Sequence, residues 1–424
     1  MVYVLNMHKQ PLMPCSEAKA KRLLDQKKAK VLKRTPFTII LLHGSAGYKQ
    51  KIVLGVDAGS KTVGISAVSK DKEIYAAELN PRNDVVKNLS TRRENRGTRR
   101  NRKTRHRKPR FDNRVRSKHK GWLAPSVEVE IQEHITVIKQ ICRLLPITKV
   151  VIETAEFDLQ KIKAMEDGKP LPQGEDYQKG EMLGHYNVRQ YVLFRDGYTC
   201  LCCGAHGEGI KLHAHHLESR KIDGNAPDVF VTICDVCHDA YHQDRLEEEI
   251  SKKLNKRKRR STRDAAFMGI MRKTLMARLH NELDVPVYET HGYITKYTRV
   301  EILDLPKTHV NDALSIALGP NTDTTKIARI NRIYKILPVR HHNRCLHKST
   351  ILKGGIRKSN QAKKYVKGFR LFDKVLYQGK ECFVWARRTK GGFMLKTLDG
   401  KKVKDSVHPK YLKLLERSST YLIA

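Results

Sequence analysis

Cys200 and Cys203, then Cys234 and Cys237, make two Cys-x-x-Cys corners, and His215, His216, His238 and His242 stand between and just after them. Two such corners let four thiolates close a tetrahedron around one zinc ion. The 31 positions from Cys203 to Cys234 exceed the usual ribbon spacing and leave room for an inserted hairpin carrying His215-His216. Cys202 is a competing thiol in the first corner, although Cys200 with Cys203 keeps the two-residue interval. Four cysteines saturate one zinc, so the histidines are left for a second metal centre. The plainer alternative is that all these residues only hold zinc. Adjacent residues on a strand point to opposite faces. One of the paired histidines can bind metal while the other meets a water, a role that suits an imidazole neutral near pH 7.

Three acidic residues, Asp57, Glu153 and Asp312, extend the chemistry. The apolar run Ile52-Val53-Leu54-Gly55-Val56 ends in Asp57, and Lys149-Val150-Val151-Ile152 ends in Glu153. His309 precedes Asp312 by one turn of a helix expected over 308–318, with Ala313, Ile316 and Ala317 facing a core. A carboxylate at a strand end is most often only solvated. Three that converge can offset the charge of two Mg²⁺ ions about 3.5–4 Å apart. His309, on the same helix face as Asp312, can activate a water or touch a phosphate. Glycines near Asp57 let the backbone turn tightly beside such ions.

The elements that must place these residues read as alternating strands and helices. Gln10-Pro11-Leu12-Met13-Pro14 is not helical, Ser16 caps a basic helix over about 17–28, and 36–42 is a strand. Residues 52–56 and 63–68 pair as a hairpin through Gly59-Ser60-Lys61. A helix over about 127–144 places Ile131, Ile135, Ile138 and Cys142 on one face and stops at Pro146. Residues 159–180 form a polar linker and 252–263 a basic hinge. Beyond 368, short strands with glycine turns predict a small antiparallel barrel or curled sheet.

Lysine and arginine number 84 against 44 acidic residues in 424, a formal net charge of +40. Self-repulsion of that size calls for a polyanion, so nucleic acid is the expected partner. A ribosomal or chromatin-like packing protein is the competing class. Residues 91–120 alone hold fifteen Lys/Arg, eleven of them Arg. Arginine's planar fork suits phosphate, so this run is expected as a long helix that orders on nucleic acid, against the alternative of a loose linker. No apolar stretch of about 18 residues appears, and Met1 to Pro14 lacks a signal-peptide layout. No membrane partner is expected. Nine cysteines, four of them in the two corners, fit metal binding in a reducing compartment better than disulfides.

Leu212-His213-Ala214-His215-His216-Leu217, followed by Cys234-Asp235-Val236-Cys237-His238 and His242, resembles the HNH, or ββα-metal, nuclease module. Residues 55–61 (Gly-Val-Asp-Ala-Gly-Ser-Lys), Val150-Val151-Ile152-Glu153 with Phe157-Asp158, and His309-Val310-Asn311-Asp312-Ala313 resemble the three motifs of RuvC-type nucleases. The knuckle lies between the second and third of these. That order, the arginine run after the first motif and Pro11-Leu12-Met13-Pro14 near the start resemble the IscB family. Those proteins are compact, transposon-encoded relatives of the type II CRISPR effectors, and the resemblance runs nearly end to end. The family usually has an Asn shortly before the second cysteine corner, where this chain has Asp228-Val229-Phe230.

The resemblance implies an α/β multidomain fold. Its parts are an RNase H-like (RuvC) mixed sheet with helices, an inserted ββα-metal HNH module with zinc knuckle, an arginine-rich bridge helix and a small C-terminal β-barrel-like domain. The implied segments are 1–50 (PLMP domain), 51–90 (RuvC I), 91–122 (bridge helix), 123–180 (RuvC II and linker), 181–250 (HNH), 251–335 (RuvC III) and 336–424 (RNA- and adjacent-motif-interacting). The implied activity is RNA-guided DNA cleavage by a protein monomeric within a ribonucleoprotein, in the prokaryotic cytoplasm at the nucleoid. Its partners would be a structured guide RNA and double-stranded DNA with a short adjacent motif.

By the same resemblance, Asp57, Glu153 and Asp312 would hold two Mg²⁺ with His309 beside them and cut the displaced strand. His216 would be the general base of the HNH centre, with His215, His238 and His242 on one Mg²⁺, and would cut the guide-paired strand. Cys200, Cys203, Cys234 and Cys237 would hold structural Zn²⁺. Arg92, Arg93, Arg96, Arg99, Arg100, Arg102 and Arg105 would grip the guide. Arg370, Lys374, Tyr377, Trp385, Arg387, Arg388 and Lys390 would meet RNA scaffold and the adjacent motif. The rival enzyme is a guide-independent HNH homing-type endonuclease. The rival non-enzyme is a zinc-containing nucleic-acid-binding protein.

Overall fold

The computed structural model of the chain describes residues 1–44, 47–100, 121–154, 170, 185, 187–216, 227–243, 245, 263–322, 327–340, 354, 363–388, 391–418 and 421–424. Expectations resting on Arg102, Arg105, Phe157-Asp158, Leu217, Lys390, nearly all of the 159–180 linker and the 252–262 hinge lie outside them, as do the side chains of Arg99, Arg100 and Asp228. The chain divides into two units, Met1–Glu156 with Met271–Ala424, and Phe157–Ile270.

In the first unit, strand β1 (Val2–Leu5) is buried throughout and pairs antiparallel with β2 (Pro11–Cys15). Pro11 and Pro14 sit on this edge strand, where no second ladder asks for their missing N–H. Ser16 caps helix α1 (Glu17–Asp25) by accepting from the Lys19 amide, as expected. The helix stops short of residue 28 because Lys27 turns left-handed at φ 55°. Strands β3 (Ala29–Lys33) and β4 (Thr38–Leu41) complete a sheet in the order β2-β1-β4-β3.

The chain then builds β5 (Val53–Asp57), β6 (Val63–Ser69) and β7 (Lys72–Leu79) as an antiparallel meander. Helices α2 (Val85–Arg100) and α3 (Pro125–Leu144) follow, and β8 (Lys149–Thr154) returns parallel to β5. The second unit contributes α4 (Val188–Arg195), β9 (Leu212–His216), β10 (Phe230–Cys234) and α5 (Asp235–His242), with β9 and β10 antiparallel. Helix α6 (Arg263–Glu282) leads back to the first unit, where β11 (Val287–His291) pairs parallel to β8. Next come α7 (Gly292–Tyr297), a π-helical turn at Thr298–Ile302, α8 (His309–Leu318) and β12 (Tyr334–Pro338) parallel to β7.

The last strand, β18 (Tyr421–Ile423), adds antiparallel to β12, giving one mixed sheet in the order β11-β8-β5-β6-β7-β12-β18. The boundary expected at 335/336 thus falls inside β12. All seven residues of β6 are buried, and Ala313, Ile316 and Ala317 of α8 are buried as expected. A continuous apolar run of this kind marks a strand covered on both faces.

Ile131, Ile135 and Ile138 of α3 are buried as their spacing predicts, and Cys142 is half-buried. The helix also buries Glu130, Glu133 and His134, which periodicity did not flag. Glu130 is 7% exposed, and its Oε1 has no hydrogen-bond partner among the described residues. Burial, then the Glu133 charge, pushes its carboxyl from 4.5 up to about 8. The folded chain therefore keeps a proton that the unfolded chain releases above its ordinary value. Stability falls as pH rises from the unfolded pKa through the folded one. Glu130→Gln is expected to raise the urea midpoint at pH 8, by the equivalent of up to about 4 kcal/mol, and to leave it nearly unchanged near pH 4.5.

Strands β13 (Lys374–Tyr377), β14 (Lys380–Arg387), β15 (Phe393–Lys396), β16 (Lys402–Val407) and β17 (Lys413–Glu416) form an antiparallel sheet in the order β16-β15-β14-β13-β17. The two-residue turn Gln378-Gly379 joins β13 to β14 with both residues at positive φ, 48° and 74°, which matches the right-handed strand twist. The expected barrel does not close, since β16 and β17 remain edges. Lys402, Lys404 and Asp405 line β16 with exposed charge, which discourages further pairing. Among the described residues, no helix is long and apolar enough to cross a membrane.

Candidate functional site

Asp57 and Glu153 lie at the same end of the seven-stranded sheet because β5 and β8 run parallel with Val56 opposite Ile152. Helix α8 brings the other two expected residues to them. It can do so because Gly55 and Gly64 put no side chain between sheet and helix. A Cβ on Gly55 would stand 2.1 Å from the Ala313 carbonyl oxygen, and one on Gly64 would stand 1.8 Å from that of His309. Asp57, 8% exposed, accepts a hydrogen bond from His309 Nδ1 at 2.7 Å.

The three carboxylates feel one another. Burial raises the Glu153 carboxyl. The nearby Thr295 hydroxyl, which donates to the His291 carbonyl at 3.4 Å, and Arg272 oppose that, and the Asp57 and Asp312 charges raise it further. Burial and then Asp57 raise Asp312, against Arg299. His309 is raised, chiefly by its bond to Asp57. The carboxylates are not drawn into one tight knot: among the described residues, only the two groups described below have all ligand atoms within 4.8 Å of one another. Like charges repel, and Asp57 and Asp312 each face a basic partner. Asp312 approaches Arg299 Nε at 2.8 Å, off the N–H direction, as an ion pair.

Sequence reasoning missed Arg299, Thr295 and Arg272. Arg272 holds the Ala58 carbonyl through Nε at 3.1 Å and a terminal nitrogen at 2.8 Å, which fixes the backbone just after Asp57. No local motif marks these residues: Arg272 meets Ala58 from 214 positions away, and Arg299 reaches Asp312 only because the chain turns back between them. Oxygen donors with this much negative charge fit Mg²⁺.

In the second unit, Cys200, Cys203, Cys234 and Cys237 form the first tight group, which is the expected set and leaves Cys202 outside it. Cys203 and Cys234 sulfurs lie 3.7 Å apart, and the Cys234 amide donates to Cys200 Sγ at 3.2 Å. Burial opposes ionisation of Cys200, but amides of Cys203, Cys234 and Cys202 aimed at the sulfur outweigh it and bring the thiol down to about 7. Burial instead raises the Cys234 and Cys237 thiols, and four sulfurs grouped in this way fit zinc, which binds them as thiolates.

His215, His238 and His242 form the second group. His215 on β9 pairs in register with Val231, and His238 and His242 stand one turn apart on α5. His215 is 6% exposed, and burial first, then the neighbouring histidines, pushes it down to about 4, so it is neutral. His216 points to the other face, its ring 4.0 Å from that of Phe230. His213, to which no role was assigned, shares the His215 face at i−2. Its ring stacks on His238 at 4.8 Å, and its Nε2 is held by Asp235 at 2.6 Å. Val229, where the resembling family has Asn, is 6% exposed and packs with Tyr191, Val192 and Phe230. Three imidazoles without a carboxylate do not fit the Mg²⁺ expected here.

Of the expected nucleic-acid contacts, Arg92 and Arg93 are exposed on α2 and Arg96 is half-buried. Arg388 is exposed, 3.9 Å from Asp405, whereas Arg387 is half-buried and donates to the Lys364 carbonyl. Lys374 is 4% exposed, held by Thr35 at 2.9 Å and Glu381 at 2.7 Å, so it joins β13 to the N-terminal segment instead of facing a ligand. Arg370 bonds Asp373 and the Ser418 carbonyl. Trp385 packs edge-on to Phe372 under Lys396.

A family profile described as "RRXRR protein" matches residues 2–180. No curated protein matches the chain. Among solved structures, crystal structures of Streptococcus thermophilus Cas9 are similar to parts of it. The complex with AGGA PAM shares 15% identity at a TM-score of 0.31, covering 46% of this chain and 26% of its own. The complex with the AGAA PAM shares 13% at 0.33, covering 62% and 32%. This chain thus spans less than a third of the length of either Cas9 chain.

Proposed function

We propose that the protein is an RNA-guided DNA endonuclease with two separate centres. The observation that carries this reading is the meeting of Asp57, Glu153, His309 and Asp312, from segments up to 255 residues apart, on one end of a mixed sheet. The knuckle with its histidine group is an independent unit between two of those segments.

Asp57, Glu153 and Asp312 would hold Mg²⁺, which when bound polarises a phosphodiester and supplies a water of lowered pKa. Within the protein, His309 fixes the Asp57 carboxylate and Arg272 holds the strand end. His216 is the base of the second centre, which acts on the guide-paired strand, and the carboxylate centre acts on the displaced one. The +40 charge and the exposed Arg92 and Arg93 on α2 supply contacts to RNA and DNA phosphates. Burial of Val229 in an apolar cluster favours a second reading, a guided binder whose histidine centre cuts poorly.

Sequencing nucleic acid that co-purifies with the full chain tests the proposal. A single structured RNA in stoichiometric amount is expected, and DNA cleavage should require it. Cleavage by RNA-free protein would establish the guide-independent rival. DNA affinity of the complex should fall by about a thousandfold or more between 50 and 200 mM salt, as for binding that neutralises many phosphates. A shallow slope in a filter-binding titration would count against the polyanion reading.

A further inference from the structure

We infer that His215, His238 and His242 form a second transition-metal site, selective for Zn²⁺ or a neighbouring borderline ion over Mg²⁺. The inference rests on the donor set and does not depend on the nuclease reading. Each histidine offers a ring nitrogen, and all three lie within 4.8 Å of one another. Ligands of a tetrahedral zinc at about 2.1 Å stand about 3.4 Å apart, so a side-chain adjustment of about 1 Å closes the set.

His215 is buried, and its Nε2 has no partner among the described residues, an arrangement that costs free energy unless something accepts the lone pair. The His238 and His242 rings stand 5.1 and 5.2 Å from its own, and 4.6 Å from each other.

The nearest acidic side chains are otherwise placed. Asp235 is held by His213 at 2.6 Å, and Asp239 is exposed, with its oxygen 3.8 Å from His238 Nδ1. Mg²⁺ is a hard ion that selects oxygen and keeps its waters, whereas imidazole selects the later first-row ions. Three protein nitrogens, with His242 exposed, are one donor short of a closed tetrahedral set, the donor count of a reactive zinc site and not of a structural one. Helix α5 carries Cys237 toward the thiol group and His238 and His242 toward this one, so a single helix serves two ions of the same class.

The test uses untagged full-length protein and its metal content. Two transition-metal equivalents per chain are expected in the wild type, and one in the double variant His238→Ala, His242→Ala. The zinc it retains shows that the thiol site is still formed. One equivalent in the wild type would overturn the inference. Should the variant lose both ions, Co²⁺ titration of the wild type holding one zinc decides. A second equivalent should add d–d absorption without thiolate charge transfer, and millimolar Mg²⁺ should not displace it. Absence of that absorption, or its loss on adding Mg²⁺, would refute the site.

Discussion

Asp57→Ala is expected to abolish cutting of one DNA strand, lowering its rate by about a thousandfold or more, while the other strand is cut at the wild-type rate. Asp57 is the carboxylate to which the others refer: its charge acts on both Glu153 and Asp312, and its oxygen holds His309. Removing it takes away a ligand oxygen and releases the imidazole together, and several kcal/mol of transition-state stabilisation is the usual worth of such a centre. The guided complex should still assemble, because Asp57 ends strand β5 and is not part of the arginine-bearing helix α2. His216→Ala should give the complementary nick, since His216 belongs to the other unit. Strand-specific end labelling reads both outcomes. Loss of both cuts from either substitution would mean that the centres are not independent.

Gly64→Ala is expected to destabilise the first unit by about 2–4 kcal/mol and to silence the carboxylate centre with it. The added Cβ would lie 1.8 Å from the His309 carbonyl oxygen and 2.3 Å from its carbon. Backbone cannot yield as a flexible side chain does, so α8 must lift from β6. That displaces His309 and Asp312, which the helix exists to deliver. Gly97→Ala on α2 is the control: its Cβ meets nothing within 4 Å among the described residues. Replacing a helical glycine there should stabilise by up to about 1 kcal/mol. Thermal melting of the two variants separates the effects. Equal melting temperatures would show that the helix does not lie where the glycines put it.

Both predictions rest on features unequally visible in the chain. The cysteine corners, the apolar strands ending in Asp57 and Glu153, and the Thr308-capped helix at His309–Leu318 follow from local chemistry. Corner spacing, strand alternation and capping are short-range rules, so one stretch of sequence carries each of them. The buried Glu130, Glu133 and His134 of α3 escaped those rules because charge is normally read as a solvated face. Lys374 was misplaced for the same reason, as its partners Thr35 and Glu381 come from two other strands and loops.

The sequence by itself determined which residues can do chemistry, since thiols, imidazoles and carboxylates are fixed by type and their spacing sets what one element can present. Only the tertiary structure decided which of them meet. Parallel pairing of β5 with β8 put Asp57 and Glu153 at one sheet end, and two glycines let α8 approach closely enough to add His309 and Asp312. Arg272 gained its role at the Ala58 carbonyl the same way. A contact between residues hundreds of positions apart depends on packing that no local pattern encodes.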